Sequence, residues 1–264
     1  MSMIANQRGL SLVELMVAML LGLILIFGVS QITISSKQTY TVVNSQSQTQ
    51  ENARVVKHFL GRGLRHAGYW DDATTPMLLP EAGGFEENQI LMASNNDSTD
   101  SAVLNGTDSI TVRFNGSVDS QLRSCLGAVP TESQIVVDRY YVAPAGATDL
   151  VPRLMCESQL QDLSGTVIST NTQPLIVGIE NLQIEFGIAG AGSITEYVGA
   201  GGVTDWREVR SVRYALLTTS NQDATGDENT RTYQLLDGES QAASGDGRMR
   251  QVQRDTIFLR NYRG

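Results

Sequence analysis

"GLSLVELMVAMLLGLILIF" runs from Gly9 to Phe27, and its reading decides the architecture of the whole chain. The twenty residues Leu10–Val29 hold one charge, Glu14, and one serine. As a helix they span about 30 Å, the thickness of a bilayer's hydrocarbon core. Ahead of them lies a short polar stretch, "MSMIANQRG", with Arg8 near its end. Positive charge before the span keeps the N-terminus cytoplasmic and sends the rest across. A cleaved secretory signal is the competing reading. It calls for a short apolar core followed by a small-residue cut site. "GVSQITISSKQ" specifies such a cut poorly, and an ordinary signal has no use for Glu14. A carboxylate inside a membrane segment is costly and marks a functional position whose partner has to be found. The bland alternative is that Glu14, one turn in from the polar boundary, reaches the headgroups.

Composition narrows the function classes. The chain has 264 residues, 41% hydrophobic, with 28 acidic against 19 basic side chains and a net charge of −9. That balance disfavours binding to a phosphate backbone. Aromatics make up only 6%, which disfavours a base-stacking platform. Direct nucleic-acid binding is therefore not expected. Both cysteines, Cys125 and Cys156, follow the apolar segment. An even count in an exported domain fits a single disulfide, with two buried thiols as the alternative. Closing that loop would stabilise the fold by roughly 3–4 kcal/mol in the chain-entropy model.

The run Arg8-Gly9-Leu10-Ser11-Leu12-Val13-Glu14-Leu15 resembles the class III signal of type IV prepilins and pseudopilins. That signal is a short basic leader ending in Gly, an apolar residue, and Glu at the fifth mature position of an apolar helix. The resemblance implies that a prepilin peptidase cuts between Gly9 and Leu10 on the cytoplasmic side. It also implies N-methylation of the new Leu10 amine. The family usually has Phe at this position; Leu bears on methylation more than on the cut. In an assembled filament Glu14 would dock subunits by pairing with the N-terminal amine of a neighbour. Removing one partner of such a pair leaves the other buried and uncompensated.

No proline occurs before Pro76, so the helix can continue beyond the span. Tyr40, Val43, Ala53, Val56, Leu60 and Leu64 recur at three- and four-residue steps, which predicts an amphipathic continuation. Gly61 and Gly63 predict fraying or a break there. Beyond Trp70, β-branched runs alternate with Gly, Asn, Asp and Ser clusters. They predict strands at Gln89–Met92, Ser109–Phe114, Ile135–Val142, Leu175–Val177, Leu182–Phe186, Val209–Thr218, Thr232–Leu236 and Asp255–Leu259. The fold class is α+β and pilin-like: a long N-terminal α-helix, half transmembrane and half amphipathic, packed on a C-terminal antiparallel β-sheet head. The divisions are 1–9 leader peptide, 10–29 transmembrane and filament-core helix, 30–68 amphipathic continuation, and 69–264 periplasmic head.

Three further stretches narrow the resemblance. "ENARVVKHFLGRGLRHAGYW" (Glu51–Trp70), "IVGIENLQIEFGI" (Ile176–Ile188) followed by "DWREVRSVRYALLTTS" (Asp205–Ser220), and "RDTIFLRN" (Arg254–Asn261) are similar to PilW-type minor pilins. The resemblance implies a subunit that primes type IV pilus assembly at or near the tip and supports adhesion, twitching motility or DNA uptake. Its implied partners are the major pilin, other minor pilins, a tip adhesin, the prepilin peptidase and the inner-membrane assembly platform. It would sit in the bacterial inner membrane with its head in the periplasm, then in a cell-surface pilus. Three rivals stay open: a J-type minor pseudopilin of a type II secretion system, a signal-anchored periplasmic enzyme or ligand-binding domain, and a tip adhesin in its own right.

No catalytic residue, cofactor or metal site is expected. His58 and His66 stand two helical turns apart without further ligands at helical spacing. No phosphate loop, nucleophile elbow or His-Glu-x-x-His run is present. "SNNDSTDS" (Ser94–Ser101) and "NQDATGDEN" (Asn221–Asn229) cluster oxygen ligands, but neither has the Glu that closes a twelve-residue calcium loop. Both read as solvated loops.

Overall fold

The structure is a computed structural model. It describes residues 11–70, 79–96, 100–117, 122–147, 149–190, 193–224, 226, 228–236 and 239–262. One helix, α1 (Leu12–His66), opens it. The chain divides into two compact units, residues 1–44 and 45–264.

In the first unit the apolar side chains of α1 are exposed around the helix, from Leu12 to Ile34. Farther along, Ser30, Thr33, Thr39 and Thr41 donate their hydroxyls to carbonyls one turn back. Those bonds satisfy the hydroxyls without outside partners.

In the second unit α1 buries a stripe that includes Thr49, Ala53, Val56, Leu60 and Leu64. The helix does not break at Gly61 and Gly63; it runs on to His66. At Gly63 a Cβ would stand 2.5 Å from the Tyr140 hydroxyl. Glycine lets the helix backbone lie against that ring, and this tertiary packing outweighs its propensity cost of about 1 kcal/mol. The helix ends at Gly68, whose φ of 74° is left-handed. There Asn261 donates its side-chain amide to the carbonyls of Arg65 and Ala67, which have no partner inside the helix.

Five strands form one antiparallel meander: β1 (Leu91–Ser94), β2 (Ser109–Asn115), β3 (Gln134–Ala143), β4 (Arg153–Asp162) and β5 (Val167–Val177). A second sheet uses β6 (Ile179–Gly190), β7 (Ser193–Val198), β8 (Val209–Asp223) and β11 (Arg248–Phe258) in the order β11-β8-β6-β7. β9 (Thr232–Gln234) and β10 (Ser240–Ala242) pair separately. One core joins α1 to both larger sheets: Val56, Leu60 and Leu64 meet Ile110 and Val142, and also Leu182, Phe186 and Leu216. Tyr214 is buried in it, while Trp70 and Trp206 pack against it partly buried.

Strands β4, β7 and β10 lie outside the expected set, and β5 and β11 are longer than expected. β4 buries Leu154, Cys156 and Ser158 in strict alternation, but a polar Ser158 on the inner face and an apolar Met155 on the outer one hide that period in the sequence. The residues of β5 from Val167 to Pro174 are exposed on both faces, so no period of two exists to be read.

The chain changes sheets at one residue. Gly178, between β5 and β6, has φ 92°. A Cβ there would meet the Thr219 carbonyl oxygen at 2.6 Å and the Asn52 amide nitrogen at 2.7 Å. That amide donates to the Val177 carbonyl at 2.8 Å, tying α1 to the corner. Gly178→Ala is expected to cost about 2–3 kcal/mol through left-handed strain and the clash. A lower urea midpoint for the detergent-solubilised chain would register it; an unchanged midpoint would mean the corner yields freely.

Candidate functional site

Glu14 stands in the first turn of α1, where the helix dipole favours a negative charge. Its side chain shares an exposed surface with Leu12, Val13, Leu15, Met16 and Val17. This helix is long and apolar enough to cross a membrane. In hydrocarbon, or among helices of like kind, the carboxylate requires a cation. Gly9 and Leu10, the expected cut and methylation positions, lie outside the described residues.

In the second unit Cys125 and Cys156 form a disulfide, with Cα atoms 6.5 Å apart. It joins the loop before β3 to the centre of β4. Asp138 on β3 lies beside it, its Oδ2 accepting the Cys125 amide at 2.7 Å. Arg62 of α1 donates to the Ser124 carbonyl at 3.3 Å, so helix, loop and sheet meet here. The Cys125→Ser, Cys156→Ser double variant should lose roughly 3–4 kcal/mol of stability. Parallel urea titrations of wild type and variant would show this, and coincident curves would refute it.

Two carboxylates are held in dry surroundings. Burial pushes the Asp108 carboxyl up to about 6, against the backbone amides of Asn96 and Ile184, which favour its charge. Burial likewise pushes Asp138 up to about 6, while Ser158, the Cys125 amide and the charge of Arg62 pull the other way. Ser158 is its cross-strand neighbour, yet Oδ1 and that hydroxyl do not reach hydrogen-bonding geometry. A carboxyl raised in the folded state gives stability that is complete below its unfolded value, near 3.8, and lost as pH rises towards 6. Each accounts for roughly 3 kcal/mol. Asp246, Asp205 and Asp162 are depressed chiefly by hydrogen bonds from Arg250, Arg207 and Ser164, and they act below pH 4 with opposite sign. Thermal stability is expected to peak near pH 4 and to fall from there towards pH 6. Asp138→Asn should reduce the fall between pH 4 and 6; a fall of wild-type size in that variant would clear Asp138 of the effect.

The oxygen-rich loops are occupied by protein contacts. Asp100 pairs with Arg139 at 2.8 Å and accepts the Ala102 amide. Asn229 donates to the Tyr233 hydroxyl at 2.9 Å. Residues 97–99, 225 and 227 of these loops lie outside the described set. His66 packs edge-on against Phe114, and its pKa is lowered by burial and by Arg62 and Arg65.

Two buried guanidiniums were missed from the sequence. Arg113 is fully buried, donates to the carbonyls of Gln89, Pro80 and Glu86, and lies over the Phe85 ring. It fastens the segment before β1 to the sheet. Arg250 is held between Glu180 and Asp246. The available signal was an arginine inside a strand otherwise rich in β-branched residues, as in "SITVRFN".

Two known families match in separate parts of the chain. The prokaryotic N-terminal methylation motif matches residues 4–30, and the family described as type IV pilus-assembly protein W matches residues 139–261, from β3 to just past β11. Among solved structures, a type IV-like pilin from Thermus thermophilus is similar at 14% identity, with a TM-score of 0.49, over 81% of this chain and 98% of that one. No curated protein matches the chain. An apolar helix with the methylation motif, ahead of a helix-and-antiparallel-sheet head, defines a type IV pilin-like protein. Within that class, residues 139–261 of the head are similar to the domain of type IV pilus-assembly protein W.

Proposed function

We propose that this chain is a non-catalytic subunit that primes assembly of the type IV pilus and sits at or near its tip. The observation that carries the reading is Glu14: a lone carboxylate on an exposed apolar helix, in a chain with a PilW head. Before assembly the helix anchors the chain in the inner membrane with its head in the periplasm. After peptidase cleavage at Gly9–Leu10 and methylation of Leu10, Glu14 pairs with the amine of an adjoining subunit. Other minor pilins, the major pilin, a tip adhesin and the assembly platform are its partners. Adhesion, twitching motility or DNA uptake follows from the pilus it helps to build.

Intact mass of the chain from membranes, with and without prepilin peptidase, tests the anchor chemistry. The expected product begins at Leu10 and carries one methyl group, only when the peptidase is present. A chain that keeps residues 1–9, or is cut beyond Phe27, would overturn the reading. Deletion separates pilus from secretion: pili should be lost while type II secretion continues. The opposite pattern would make the chain a J-type pseudopilin.

A further inference from the structure

Among the described residues β5 is the outermost strand of the five-stranded sheet and pairs only with β4. Its outer edge therefore presents unpaired backbone donors and acceptors. Proteins protect such edges by shortness, by charge or by cover. The other described sheet edges follow that rule. β1 has four residues, β7 has six with Glu196 among them, and β11 carries Arg248, Arg250, Arg254 and Asp255. β5 has eleven residues, "VISTNTQPLIV", and none is charged from Thr166 through Ile179. Residues Val167–Pro174 are exposed on both faces, so neither residues 79–90 nor α1 cover them. Bulges at each end, where Ile168 and Leu175 have no β4 partner, leave Ser169–Pro174 as the regular stretch. Pro174 removes a single donor.

The sequence of β5 also says what fits it. About Thr172 the strand is close to its own mirror image. Laid antiparallel on a second β5, Asn171 faces Gln173 and Thr172 faces Thr172. Val167 then faces Val177 and Ile168 faces Ile176, while the unlike pairs are Ser169 with Leu175 and Thr170 with Pro174. Side chains directly opposite each other on one face are the unit of sheet pairing, and like ends matching like ends is what an isologous interface requires. We propose that β5 is a docking edge that pairs antiparallel with β5 of a second copy of this chain, on a two-fold axis through Thr172. The contact joins two five-stranded sheets through backbone hydrogen bonds. A single strand edge buries less than a stable interface does, so the pairing is transient. It stands independently of the assignment as a minor pilin.

The full chain in detergent with Thr172→Cys tests the register, because on the axis a new cysteine meets only its own copy. The Cα separation across a strand pair lies within the range a disulfide spans. Under oxidised glutathione, Thr172→Cys should form a linked dimer at least about ten times faster than the exposed control Val129→Cys. Adding Gln173→Lys should slow linking several-fold, because the two lysines, each facing Asn171 of the other copy, sit diagonally across the axis within reach of each other. Both positions are exposed, so the melting temperature should be unchanged. Equal rates for the two cysteine positions, or linking that ignores the added lysine, would overturn the proposal. So would linking in native membranes only to a different pilin-like subunit.

Discussion

The chain carrying Glu14→Leu is expected to be cut at Gly9 and to accumulate in the membrane at the wild-type level. Yet its recovery with sheared pili should fall by a factor of about 100 or more. The leucine leaves the membrane segment more apolar, so insertion does not suffer. In the filament contact proposed for Glu14 it would strand a neighbour's N-terminal amine in an apolar core, and breaking a buried pair from one side costs about 3–5 kcal/mol. At about 1.4 kcal/mol per decade that is roughly two to three and a half orders of magnitude in docking. Glu14→Gln should fall almost as far, because an amide cannot neutralise the amine. Glu14→Asp keeps the charge and should retain part of the activity. Quantitative mass spectrometry of pili and membranes from the same cells would measure all three. Undiminished entry of the leucine variant into pili would remove Glu14 from the docking step.

The N-terminal reading was legible because its signals are local. A charge in an apolar run, a basic leader and a terminal Gly all lie within a few residues of one another. The helix and the antiparallel head followed from periodicity, which is equally local. What escaped depends on distant partners. Nothing near Gly63 announces that the Tyr140 ring will press against it, so its propensity pointed to a break that packing prevents. The two-sheet division rests on Gly178, whose left-handed turn is fixed by Thr219 and Asn52. β4 and most of β5 lacked clean alternation, since a mixed inner face in one and exposure on both sides of the other erase it. The disulfide was open between bonded and free thiols until β4 and the loop before β3 set Cys125 beside Cys156. The buried arginines could be seen but not paired, because Glu180 lies seventy residues from Arg250.

Arg250→Met should be the most damaging single change in the head. Arg250 is buried and makes paired hydrogen bonds to Glu180, at 2.6 and 2.8 Å, and to Asp246, at 2.6 and 3.0 Å. Although burial opposes its charge, the bonds to the two carboxylates raise its pKa further above the ordinary arginine range. Glu180 follows the sheet corner at Gly178, while Arg250 and Asp246 lie on and just before β11, so the pair fastens the corner to the far strand. Methionine fills much of the space but leaves the Glu180 carboxylate with little access to water. The expected loss is about 3–5 kcal/mol. The double variant Arg250→Met, Glu180→Leu should regain most of it, because replacing both partners by apolar groups leaves no buried charge. Acid should also narrow the gap between wild type and Arg250→Met. The hydrogen bond from Arg250 holds Asp246 below the usual carboxylate range. A depressed carboxyl gives stability that is present above its unfolded value and lost as pH falls through its folded one. Urea titrations of the three proteins at pH 7 and pH 3 would measure both effects. If the double variant is no more stable than Arg250→Met, the cost lies in the lost packing of the guanidinium rather than in the stranded charge.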